Sequence, residues 1–323
     1  MCIIFSHLIE KHTMNPALII IYNHRFDKNI ELVERIYRNR FSNIFHLMPF
    51  YDGNKENVIA VYDNSFRFQG YIAQGLRHFF NKKFAHYIFV ADDMILNPAI
   101  NENNYTEHFA LDSESSFIPE LRNVPRPDTC WVHDRSALHF NPFDKKNFNT
   151  RGVETVSFLP DKELAEKIMG NFGVKNSSVT FYQVYGNIFR NFLYKLRLIT
   201  EDIFTYHHFY PRKTRYPLAS SYSDIFVVDK NTIAKFSQFC GIFATTQLFV
   251  EIAIPTALAL SSKKIVTGNS LSKHTQKFAK YNAEIESFIN NLNFDLSLLL
   301  QNFPENQMYI HPIKLSKWDT RNL

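Results

Sequence analysis

The stretch Phe84–Pro98, FAHYIFVADDMILNP, decides the fold. Its run Tyr87-Ile88-Phe89-Val90-Ala91 is apolar without alternation, so the strand it predicts must be covered on both faces. That run drives straight into two adjacent carboxylates, Asp92 and Asp93. Upstream, ALIIIY (17–22), NIFHLMP (43–49) and NVIAVY (57–62) predict three more strands of the same kind. Between them, DKNIELVERIYRNRF sets Ile30, Val33, Ile36 and Tyr37 at helical spacing, with Asp27 placed to cap. QGYIAQGLRHFF reads as a second helix. Strand–helix alternation with continuous apolar strands predicts an α/β fold around a mostly parallel sheet with flanking helices. In such sheets ligands bind beyond the carboxyl ends of the strands, which is where Asp92 and Asp93 stand.

Beyond residue 100 the pattern loosens. Residues 101–178 are polar and loop-rich, with one predicted helix from Asp161 to Met169, and read as an insertion over the site. Residues 180–209 look helical and aromatic, and the basic loop YPRKTRYP (210–217) follows. SYSDIFVV (221–228) predicts a strand, and helices are predicted over Thr232–Phe243 and Gln247–Leu260. KKIVTG predicts a short strand, and a long helix is predicted over Ser272–Leu300. The whole chain, 1–323, reads as a single domain without internal repeats.

Composition bounds the function. Hydrophobic residues are 45% and charged residues 21%, as in soluble globular proteins. A net charge of +5 suits an anionic ligand or membrane surface and does not call for nucleic acid. Cys2, Cys130 and Cys240 stand far apart, without a CxxC, which argues against a disulfide framework and fits a reducing cytoplasm. No run approaches the roughly 18 apolar residues of a spanning helix. The N-terminal segment lacks a signal-peptide pattern.

Two carboxylates at a strand's carboxyl end can hold a hard cation, Mn²⁺ or Mg²⁺, whose shell phosphate oxygens often complete. The plain alternative is a loop start, where Asp caps a turn. Glu251, the lone charge in LFVEIAIPTALAL, reads as a buried carboxylate of raised basicity, the property of a general base. Its alternative is an ordinary ion pair. No glycine-rich phosphate loop is present.

With these residues the sequence resembles the GT-A class of nucleotide-sugar glycosyltransferases, in which a strand of the nucleotide-binding fold runs into a DxD motif. YIFVADDMILNP is similar to that motif, but Ala91 stands in place of its first acid. The resemblance implies a GT-A-like, Rossmann-like fold. Residues 15–100 would form its nucleotide-binding half, 101–178 its insertion and 179–323 its acceptor and catalytic half. It implies that Asp92 or Asp93 binds the metal, that His311 in YIHPIKLS returns to it, and that Lys314 screens the diphosphate. It makes Glu251 the base and sets Asp224 on sugar hydroxyls. It puts Tyr22, Asn23, Arg25 and Asp63 around the nucleoside, with Tyr22 stacked on the base. SYSDIFVV and LFVEIAIPTALAL are similar to bacterial enzymes of lipopolysaccharide O-antigen and capsule synthesis, galactofuranosyltransferases among them.

The implied reaction is inverting transfer from a nucleotide-sugar donor, UDP-linked, to a saccharide or lipid-linked glycan. The implied place is the cytoplasm, at the inner face of the membrane. Lys195, Arg197, Arg212, Lys213 and Arg215, set among tyrosines, form the basic patch for a peripheral contact with an anionic membrane. Two other readings stay open: a non-catalytic glycan-binding or assembly subunit with a degenerate site, and a sugar nucleotidyltransferase.

Overall fold

The structure, a computed structural model, describes residues 15–124, 137–145, 150–154, 158–176, 178, 180, 182, 185, 192–206, 213–273 and 283–323. Cys2, Cys130, Arg212 and residues 274–282 of the long helix expected from the sequence lie outside the described residues.

The first third follows the apolar pattern: β1 (Pro16–Ile21), α1 (Lys28–Tyr37), β2 (Ile44–Pro49), β3 (Val58–Val61), α2 (Gln69–Phe79) and β4 (His86–Ala91). Then come β5 (Ile95–Leu96), α3 (Tyr105–His108), β6 (Ser115–Ile118), β7 (Arg122–Asn123), α4 (Lys162–Gly170) and α5 (Phe192–Tyr206). The chain continues as β8 (Ala219–Ser220), β9 (Ile225–Asp229), α6 (Ile233–Thr245), α7 (Val250–Ser261) and β10 (Lys264–Thr267). It closes with α8 (Ala283–Asn291), α9 (Leu296–Gln301) and β11 (Tyr309–Ile310).

Seven strands form one sheet in the order β10-β6-β9-β4-β1-β2-β3. Only β9 runs antiparallel to its neighbours. The expected α/β architecture is present, and it is compatible with a Rossmann-like fold. Alternate side chains divide the core. Ile19, Phe89 and Phe226 pack under α2, α6 and α7, while Leu18, Ile20, Val90 and Val227 pack with α1, α8, α9 and the C-terminal segment. Phe89 and Phe226 face each other across the antiparallel pair, their rings stacked 4.7 Å apart.

From β1 the chain moves through β2 to β3 on one side, and β4 lies on the other. The crevice between the carboxyl ends of β1 and β4 is therefore the topological switch point of the sheet, the place where open α/β sheets bind ligands. The N–H of Asp92 donates to the Ile21 carbonyl at 2.9 Å and ties those two ends together.

Three local expectations are corrected. Asp27 does not cap α1, because its carboxylate pairs with Arg25 instead. The helix expected over 272–300 is broken into α8 and α9, with Asn293 and Phe294 at positive φ between them. Asp295 restarts the helix by accepting from the N–H groups of Ser297 and Leu298. The stretch 101–178 is not all insertion, since β6 belongs to the central sheet. Its polar Ser115 and Ser116 hid it: Ser116 Oγ donates to buried Asp229 at 3.0 Å, which makes serine acceptable in a core strand. Among the described residues no helix is long and apolar enough to cross a membrane.

Candidate functional site

At the switch point β1 runs into Asn23 and His24, and β4 runs into Asp92 and Asp93. The C-terminal segment returns to the same place. β11 pairs antiparallel with β5, Tyr309 opposite Leu96 and Ile310 opposite Ile95. That pairing brings His311 onto Asp93, whose Oδ1 accepts from His311 Nε2–H at 3.1 Å. The N–H of Ile313 donates to the Asp93 carbonyl at 2.6 Å and fixes the register. On the other side of the imidazole, Nδ1 lies 4.0 Å from Asp224 Oδ2. Asp224 is held just ahead of β9 by its carbonyl, which accepts from the Ala91 N–H at 2.8 Å.

These segments enclose a cleft of about 380 Å³, the size of a small-ligand site. Its walls are Asn23, His24, Phe26, Asn29, Ser65, Asp92, Asp93, Ile313, Lys314, Leu315 and Ser316. Asp92 accepts from the Asn23 N–H at 3.3 Å and from the Asn29 side chain. Burial, and then the neighbouring Asp93, push its carboxyl up to about 7. Two acids held this close favour a shared proton or a cation.

The structure therefore brings together Asp92, Asp93, Asn23, Asp224, His311 and Lys314 from the residues named by sequence. It moves four others. Tyr22 is wholly buried and donates its O–H to His46 Nδ1 at 3.0 Å, so no ring face is open for stacking. Phe26 instead lines the cleft, with 41% of its surface exposed. Arg25 points to Asp27 and Asp52 and is not a wall residue of the cleft. Asp63 pairs with Arg67 at 3.2 Å, ahead of the turn that presents Ser65. Glu251 is not a wall residue of the cleft and is not fully buried. It is half-buried in the first turn of α7, where its carbonyl accepts from the Ser221 N–H at 3.0 Å. The start of α7 meets the turn that follows Asp63, with the ring of Phe249 6.2 Å from that of Phe66.

Asn29, Ser65 and Ser316 carry no sequence signal, being ordinary polar residues of a helix start and two turns. Phe26 had one, as an aromatic residue in the loop after the first strand.

Among the described residues no three His, Cys, Asp or Glu side chains form a ready metal cluster. Asp93 and His311 are a carboxylate and an imidazole, donor types that ligate divalent cations. Asp224 Oδ2, 4.0 Å from Nδ1, is beyond hydrogen-bonding distance. The sequence matches no model of a known protein family, and it matches no curated protein.

Proposed function

We propose that the chain is a metal-dependent, inverting glycosyltransferase of the GT-A kind. It would move a sugar from a UDP-type nucleotide donor to a hydroxyl of a saccharide carried on a lipid-linked bacterial surface glycan. The observation that carries the reading is the Asp93–His311 pair at the rim of a cleft over the switch point. Paired acids and a lysine lining a cavity of this size, with an imidazole bonded to one of the acids, suit a diphosphate accompanied by a cation.

Asp93 and His311 would hold Mn²⁺ or Mg²⁺, which supplies charge neutralisation at the leaving diphosphate when bound. Asp224 lies on the other side of the His311 ring. Lys314, beside Asp93 in the cleft wall, offers its ammonium to a phosphate oxygen. Phe26 presents a face for the nucleobase, and Asn23 and Asn29 restrain Asp92. Glu251 accepts the proton of the acceptor hydroxyl as its oxygen attacks the anomeric carbon. The bond from that carbon to the phosphate oxygen breaks, and its electron pair leaves with the nucleoside diphosphate. Attack from the face opposite the leaving group inverts the anomeric centre.

A lipid-linked acceptor requires contact with an anionic membrane. α5 supports this, since Leu193 and Phe204 are 80% and 78% exposed on a helix that also carries Lys195 and Arg197.

Nucleotide sugars tested for thermal stabilisation with and without Mn²⁺ check the proposal. A ligand at one hundred times its Kd adds about 2.7 kcal/mol. Stabilisation by a UDP-sugar that needs Mn²⁺, with UDP released on adding acceptor, is the expected result. No stabilisation by any nucleotide sugar, or release of pyrophosphate in place of UDP, would overturn it.

A further inference from the structure

A second cavity, of about 390 Å³, lies between α4 and the segment leading into β8, and shares no wall residue with the cleft at the switch point. Its polar walls are Lys162, Glu166, Lys175, Asn176 and Lys213, with Leu218 among the apolar ones. Lysines from three segments thus line it beside one carboxylate. Glu166 approaches Lys162 only to 3.9 Å, and Lys213 has no carboxylate partner among the described residues.

The lysines are held beside one another by the fold. Asn176 and Thr214 bond reciprocally: the Asn176 amide donates to the Thr214 carbonyl at 3.0 Å, and Thr214 Oγ1 donates to Asn176 Oδ1 at 2.8 Å. Thr214 is buried, so this link clamps the segment carrying Lys213 against the one carrying Lys175. The Lys175 N–H donates to Asn123 Oδ1 at 2.8 Å and ties the same rim to β7. A third tie runs from Tyr216 O–H to the Pro160 carbonyl at 3.0 Å, two residues before Lys162. Like charges gathered at one concave place repel one another, and a multivalent anion relieves that repulsion. Tetrahedral phosphate, with oxygens spread in three directions, can bridge ammonium groups arriving from three segments.

We propose that this cavity binds a phosphate-bearing ligand, gripped by Lys162, Lys175 and Lys213 with the Asn176 rim holding them in place. The volume accommodates a phosphate or diphosphate and part of what it is attached to. The site is independent of the glycosyl-transfer reading and needs no metal.

The test is titration of the full chain with inorganic pyrophosphate in EDTA, read by calorimetry and ³¹P line broadening. EDTA removes the cation the switch-point cleft would need, so failure of one proposal is separable from failure of the other. Saturable binding that weakens with salt is expected. Lys162→Gln/Lys175→Gln/Lys213→Gln should lose at least roughly tenfold in affinity, whereas Lys82→Gln, at an exposed lysine that lines neither cavity, should bind as wild type. Because glutamine keeps the chain length, circular dichroism should show both variants folded; Lys213→Gln alone serves if the triple variant does not fold. A parallel arm uses phosphatidylglycerol vesicles: competition with pyrophosphate that the triple variant abolishes assigns the site to a lipid phosphate, and no competition assigns it to a free one. Absence of saturable pyrophosphate binding, or equal binding by wild type and the lysine variants, would overturn the proposal.

Discussion

His311 Nε2 meets Asp93 Oδ1 at 3.1 Å across 218 residues of sequence, and the same ring lies 4.0 Å from Asp224 on its other side. The contact exists because β11 pairs with β5, the two-residue strand just past Asp93. If Asp93 and His311 are the protein's cation ligands, Asp93→Asn and His311→Ala should each weaken Mn²⁺ binding at least about tenfold, as read by electron paramagnetic resonance of free Mn²⁺. Asp224→Asn should weaken it less, since it removes no ligand. Unaltered Mn²⁺ affinity in both ligand variants would remove the metal from this site.

Glu251→Gln tests the base. The swap keeps shape and hydrogen bonding and removes basicity. Donor binding measured by calorimetry should stay near wild type, while transfer to acceptor falls by two orders of magnitude or more, about the contribution of a general base. Turnover within a few-fold of wild type would leave Glu251 as a residue that shapes the start of α7.

Much of this arrangement was legible in the sequence, for stated physical reasons. Continuous apolar runs such as Tyr87–Ala91 can only be strands covered on both faces, and β4 ends where its run does. Acids at that end were conspicuous because nothing else polar interrupts the run. The sequence pattern does not show β6, because Ser115 and Ser116 look like loop until Asp229 is known to receive Ser116. It does not show that Tyr22 points into the core, because strand alternation decides the face only once the sheet's two sides are known. Phe26 and Asn29 enter the site through the path of a loop, which no periodicity encodes.

Two buried groups set opposite pH dependences on stability. Burial pushes His46 down to about 4, outweighing Glu34 at 3.4 Å, so the folded protein keeps this ring neutral while the unfolded chain protonates it. Between its ordinary value and about 4 the unfolded state binds the extra proton, and stability is lost as pH falls through that window. Asp92 acts the other way. Its carboxyl is raised to about 7, so the folded state holds the extra proton and stability falls as pH rises toward 7. Asp92→Asn in EDTA should therefore raise Tm at pH 7 by more than at pH 5. His46→Gln should flatten the acid limb of the stability curve. An Asp92→Asn variant with the same Tm difference at both pH values would show that Asp92 is ionised throughout.

The proposed membrane contact rests on α5. Leu193, Leu196 and Phe204 are exposed on this helix, an apolar surface that a soluble protein ordinarily covers. Tyr194 is half exposed and takes Lys195 Nζ over its ring at 5.8 Å, a pairing suited to the headgroup layer. Each basic residue near an anionic surface contributes about 1 kcal/mol, so reversing Lys195 and Arg197 removes the attraction and adds repulsion. Lys195→Glu/Arg197→Glu should lower binding to phosphatidylglycerol vesicles by more than about thirtyfold at low salt. Leu193→Ser/Phe204→Ser should lower binding at high salt as well, because burial of apolar surface is not screened. Transfer to a soluble acceptor should be unchanged in both variants, since α5 contributes nothing to the cleft walls. Equal sedimentation of wild type and both variants with vesicles would leave this helix face without a membrane role.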